Sequence, residues 1–151
     1  MDMFESIEDQ LPWGFHDALL VRLEIDWLQA LAKMDLRVAT TEKQDEDRLG
    51  QLTFGGLVFF AIDPPDLDEA RGYLARHDDG LKVSCGEGIG HESRRDAIPA
   101  IPTRAFLRWF FVQEWNRFIH VCAERVHFVW LEEKARPRRA HRKALFPGET
   151  I

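Results

Sequence analysis

At 151 residues, with 45% apolar and 30% charged side chains, the chain suits one hydrophobic core, and its longest apolar run, Leu57 to Ile62, is far short of the ~20 residues that span a bilayer. Two cysteines exclude a disulfide framework, and the acidic start (Asp2, Glu5, Glu8, Asp9) is unlike a basic signal peptide, so reduced thiols and a cytoplasmic location are expected. The net charge of −6 is uneven: Lys134 to Lys143 hold six basic residues and no acid, which leaves residues 1–133 near −11.

Residues 1–14 read as a lead-in that ends at Pro12, Trp13 and Gly14. Leu19 to Asp26 and Ala32 to Val38 alternate apolar and charged residues, which predicts an antiparallel hairpin with one solvated face. Its charges select a register. Pairing residues whose numbers sum to 57 puts Arg22 opposite Asp35, Glu24 opposite Lys33, Val21 opposite Leu36 and Leu23 opposite Met34, whereas a shift of two sets like charges against each other. Helical spacing of Leu20, Leu23, Trp27, Leu31 and Met34 is the competing pattern, but it leaves Leu19, Val21 and Ile25 off the stripe. Thr40 to Gly50 is a polar connection, and Gln51 to Ile62 is a strand interrupted by Gly55-Gly56, which suit a bulge or a close backbone approach.

Asp63-Pro64-Pro65-Asp66 ends that strand, since neither proline can donate to a ladder. Asp66 caps a predicted short helix over 66–76. Leu81 to Cys85 is a short strand, and the glycine- and proline-bearing stretch Gly86 to Thr103 a long loop. Phe106 to Val112, Phe118 to Ala123 and Val126 to Leu131 then form three strands of a meander, with a turn at Glu124-Arg125; a helix across 104–134 is the alternative. The whole predicts an α+β fold: a mainly antiparallel, twisted β-sheet with one short helix, a single domain over 1–133 and a basic tail over 134–151.

Trp13-Gly14-Phe15-His16-Asp17-Ala18, leading straight into an alternating strand, resembles the "FHDA" opening of several small bacterial families, some without assigned activity and some classed as immunity proteins of polymorphic toxin systems. The resemblance covers the first hairpin; Asp63-Pro64-Pro65-Asp66 and Trp115-Asn116-Arg117-Phe118-Ile119-His120 look like the members without assigned activity. It implies a compact α+β protein that acts by binding a partner, and it carries over no catalytic residues.

Candidate chemistry is sparse. His16 and Asp17 are adjacent, so in a strand they point to opposite faces; Asp17 then bonds backbone N–H groups and His16 packs beside Trp13. Cys85, His91, His120 and Cys122 carry zinc's preferred donors, but His120 and Cys122 are separated by one residue, too few for a structural zinc site. Cys85 with His91 or His120 as base is the candidate nucleophile of a small hydrolase-type enzyme, against which stands Glu87, whose charge raises the thiol pKa. Gly86-Glu87-Gly88-Ile89-Gly90 lacks the lysine and helix of a phosphate loop. The basic segment, with Arg136, Arg138, Arg139 and Arg142, has no interleaved aromatics for base stacking, so folding back on the acidic body is preferred to nucleic-acid binding.

The expected function is therefore a non-catalytic, immunity-like protein-binding module. Its acidic body would dock a basic protein, with Trp13, His16, Asp17 and the four arginines as candidate contacts. No cofactor or membrane is implied, and the chain is a monomer or a homodimer, for which the edge of the Phe106–Val112 strand is available.

Overall fold

The computed structural model describes residues 3–64, 79–90 and 97–138. A short helix, α1 (Met3–Glu8), precedes strands β1 (Ala18–Asp26), β2 (Leu31–Ala39), β3 (Glu46–Ile62), β4 (Leu81–Glu87), β5 (Phe106–Val112), β6 (Arg117–Trp130) and β7 (Arg136–Pro137). All pairings are antiparallel. The mainly antiparallel sheet is as expected, but it closes on itself: β1, β2, β3, β6, β5 and β4 pair in that order and β4 returns to β1, which makes a six-stranded barrel. The predicted helix over 66–76 lies outside the described residues.

The hairpin register holds over most of its length. Arg22 faces Asp35, Leu23 faces Met34 and Glu24 faces Lys33, but Val21 does not face Leu36; Leu20 does, because the register slips between Leu20 and Arg22. The slip falls where β1 acquires a second neighbour, since Ala18, Leu19 and Leu20 also pair with Val83, Lys82 and Leu81 of β4. A bulge bends a strand and increases its twist, and here it turns β1 into the barrel wall and leaves Val21 outside.

Other boundaries differ from the sequence reading too: β4 runs on through Gly86 and Glu87, which were read as loop, and Arg136–Pro137 of the basic segment form β7. The lead-in contains α1, whose Phe4 is fully buried. Strand β3 begins at Glu46 rather than Gln51, so part of the polar connection is strand; Asp47 to Gly55 pair with β2 and Gly50 to Ile62 with β6. Strand β6 runs unbroken through Glu124-Arg125, where a turn was expected. Those two residues lie beside Gly55 and Gly56, whose missing side chains leave room for them: a Cβ on Gly56 would come within 3.0 Å of the Glu124 side chain. The expected irregularity at the two glycines is present as a left-handed Gly56 and a register shift between Leu57 and Phe59.

The barrel interior is filled by alternate residues, among them Met34, Leu36 and Val38 of β2, Leu52 and Phe54 of β3, and Ile119 and Val121 of β6. Phe4 enters this core from α1 with ring centroids 5.5 Å from Phe15, 6.2 Å from Phe54 and 6.2 Å from Phe110. Arg108 is also buried, over the Phe4 ring at 4.7 Å. Its guanidinium lies 3.2 Å from Glu87 and 3.7 Å from Glu5, so ion pairs tie helix and barrel together where the buried cation requires compensation.

Candidate functional site

Two features lie at the end of the barrel where β1 starts: a cluster of charges and an apolar groove beside α1. The cluster begins with the motif Trp13 to Ala18. Successive turns, with Gly14 and Asp17 in the left-handed region (φ 53° and 59°), deliver the chain into β1. The positive φ at Asp17 overturns the expectation that His16 and Asp17 point to opposite faces. The pair precedes the strand, and His16 Nε2 lies 3.7 Å from Asp17 Oδ2. Trp13 stacks on His16 at 6.3 Å and donates its indole N–H to the Glu42 carbonyl, 2.9 Å away. Asp17 takes Lys82 Nζ at 3.6 Å and Gln44 Nε2 at 3.4 Å, and its carbonyl accepts from the Arg138 guanidinium.

Arg138 links this motif to the basic segment, which β7 ties to the start of β3. Asp47, on β3 and only 1% exposed, receives three arginines: Arg37 Nη1 at 3.0 Å, Arg136 Nε at 3.4 Å and Arg138 Nε at 3.6 Å. Arg37 also pairs with Glu132 at 2.8 Å, and Arg136 with Asp79 at 3.4 Å. Four carboxylates thus meet Arg37, Lys82, Arg136 and Arg138. These contacts, with Arg48 donating to the Glu132 carbonyl, tie β7 and the Trp13–Ala18 motif to the barrel. Trp13, His16, Asp17, Arg136 and Arg138 therefore come together in one place, while Arg139 and Arg142 lie outside the described residues. Up to Arg138, the basic segment does fold back on the acidic body.

The cysteine candidates are not assembled. Cys85 shares the interior face of β4 with Val83, whereas His120 shares the outer face of β6 with Phe118, against which its ring lies at 6.0 Å. The two residues face opposite sides of the barrel wall, and His120 Nε2 accepts the Gly90 N–H at 3.1 Å. His91 lies outside the described residues. Burial pushes the Cys85 thiol far above its usual value, the Glu8 carboxylate pushes it further, and Arg108 only partly opposes them. Burial also raises Cys122. Among the described residues no three metal-binding side chains are grouped.

Both thiols are thus held in the protonated form at neutral pH, and the buried Cys122 and part-buried Cys85 are expected to react with a disulfide reagent much more slowly than after unfolding; labelling with and without denaturant checks this. The linkage has a definite sign. The folded state keeps these protons and the unfolded state loses them near pH 8.5, so the cysteines should lower stability as pH rises above about 8.5.

The groove follows from strand lengths. Strand β5 reaches β6 only as far as the Phe106–Ala123 pair, and α1 packs against the remaining stretch of β6. A helix of six residues is too short to fill the space. A groove of about 430 Å³ is left between Met3, Ile7 and Leu11 on one side and Val126, Phe128 and Trp130 on the other. Ser6, Gln10 and His127 provide its polar groups. Asp9, exposed, follows the helix immediately, and Glu5 and Glu8 lie on the helix itself. The sequence reading missed this groove because α1 was read as lead-in; Phe4, Ile7 and Leu11 at helical spacing were the available signal.

No family model, curated protein or solved structure matches the chain. Among the described residues no helix is long and apolar enough to cross a membrane.

Proposed function

We propose that the protein is a non-catalytic protein-binding module that takes an apolar, basic segment of a partner protein into the groove between α1 and β6. The observation that carries this reading is the groove itself, a trough of about 430 Å³ with Met3, Ile7, Leu11, Val126, Phe128 and Trp130 among its lining and the exposed Asp9 just past the helix, on a body whose first 133 residues are near −11. Apolar floors with charged rims are the usual anatomy of a peptide-accepting surface, the rim steering and the floor anchoring. The opposite facing of Cys85 and His120 and the protonated state of the thiol weigh against the hydrolase-type alternative. The resemblance of Trp13 to Ala18 to the opening of immunity proteins supports the same class, because proteins of that kind act by binding.

The experiment compares wild type with Met3→Asp and Asp9→Lys as baits in host lysate, with quantitative mass spectrometry. Met3 lines the groove and is 56% exposed, so the change alters the surface and spares the core. A protein held by wild type should fall about tenfold with Met3→Asp, the loss expected when one central contact worth roughly 1.4 kcal/mol is removed. It should fall further at high salt, and Asp9→Lys should also weaken it. Partners retained equally by all three baits would overturn the groove as the binding surface.

A further inference from the structure

A second surface, away from the groove, carries an inference that does not depend on that reading. Strand β4 covers the outer edge of β1 only at Ala18, Leu19 and Leu20. Among the described residues no strand pairs with that edge from Arg22 to Asp26, while β2 occupies the other edge throughout. Strand β5, the edge suggested by the sequence, is held between β4 and β6 and offers none. An open edge is a template for another strand. Here it is bracketed by exposed apolar side chains: Val21 at its start (49% exposed) and Trp27 and Leu28 at its end (67% and 100%). The apex that displays Trp27 and Leu28 is fixed in shape. Asp26 Oδ1 accepts the Gln29 N–H at 3.1 Å, and the Ala30 carbonyl accepts the Leu57 N–H at 2.8 Å.

We propose that the Arg22–Asp26 edge of β1 pairs antiparallel with the same edge of a second copy of this chain, across a two-fold axis at Glu24. The length left uncovered among the described residues sets the register, because only a ladder centred on Glu24 uses all five residues. It places Arg22 opposite the second copy's Asp26, Leu23 opposite Ile25, and Trp27 beside the exposed Val21, each contact occurring twice. The two Glu24 side chains meet at the axis, each already paired with its own Arg22 at 3.1 Å. Centring on Leu23 would bring Asp26 to Leu20, which β4 already holds. Centring on Ile25 would set Glu24 against Asp26, and ladders shifted by one residue would oppose apolar to charged side chains.

The test is sedimentation velocity on the full chain over a wide range of concentration, with circular dichroism to confirm folding. Wild type should pass from monomer to dimer as concentration rises. Arg22→Asp and Asp26→Lys should each weaken the dimer by about tenfold, because each sets like charges opposite one another at two places. An equimolar mixture of the two variants should dimerise again. In the mixed dimer the acid introduced at position 22 of one chain faces the base introduced at position 26 of the other, and the native Arg22 and Asp26 that remain face each other. A wild type that stays monomeric, or a mixture no more associated than its components, would overturn the proposal.

Discussion

Replacing Asp47 with alanine is expected to lower the free energy of unfolding by about 3–5 kcal/mol, the usual cost of removing one partner from a buried ion pair. For a chain of this size that corresponds to a fall in melting temperature of about 10 °C. The cause is the company Asp47 keeps. Its carboxylate is almost wholly withdrawn from water and answers Arg37 at 3.0 Å, with Arg136 and Arg138 close behind. Without it, Arg37 remains buried with Glu132 as its other ionic partner, and the pairing of β7 with the start of β3 loses its anchor. Thermal denaturation of the variant at low and high salt checks this. Charges so buried are poorly screened, so the loss should persist in salt, where a surface pair's contribution would disappear. Arg37→Met on the Asp47→Ala background should recover part of the loss, since it removes a buried cation left, among the described residues, with Glu132 alone as its partner.

Replacing Phe4 with alanine should cost a similar amount, about 3–5 kcal/mol, by leaving a cavity among Phe15, Phe54, Phe106 and Phe110. The larger consequence is local. Six residues cannot hold a helix by themselves, so α1 depends on this ring and on the Glu5–Arg108 pair for its place. Its loss would remove a ring and a carboxylate from the buried guanidinium and open the groove. Urea denaturation should show the fall in stability, and limited proteolysis should show early cleavage near α1 in the alanine variant. Phe4→Leu, which refills most of the cavity, should recover more than half of the stability.

The hairpin was legible because its information is local. The alternation from Leu19 to Val38 and the charges at Arg22, Glu24, Lys33 and Asp35 are neighbours in space as in sequence, and three of the four register pairs appear as written. The fourth, Val21 with Leu36, failed because the bulge answers to β4, some sixty residues further along the chain. Strand β5 was read with its observed bounds, while Glu124-Arg125 looked like a turn because nothing local shows that Gly55 and Gly56 stand beside it. At the site, the approach of Arg138 to Asp47 and Asp17 is a contact between distant parts of the chain, so the motif and the basic segment could be picked out separately but not joined.

The sequence by itself determined the strand periodicity, the hairpin register from Arg22 to Asp26, the aromatic load of the core and the split between an acidic body and a basic segment, because each is set by side chains close together in the chain. Only the tertiary structure decided that the sheet closes into a barrel, that Phe4 and Arg108 seat α1 against it, that Asp47 gathers three arginines, and that β5 lies between β4 and β6 while, among the described residues, no strand covers β1 from Arg22 to Asp26 on its outer edge. Those outcomes rest on pairings between distant segments, and which segments meet is settled by where strands of unequal length run out of partners.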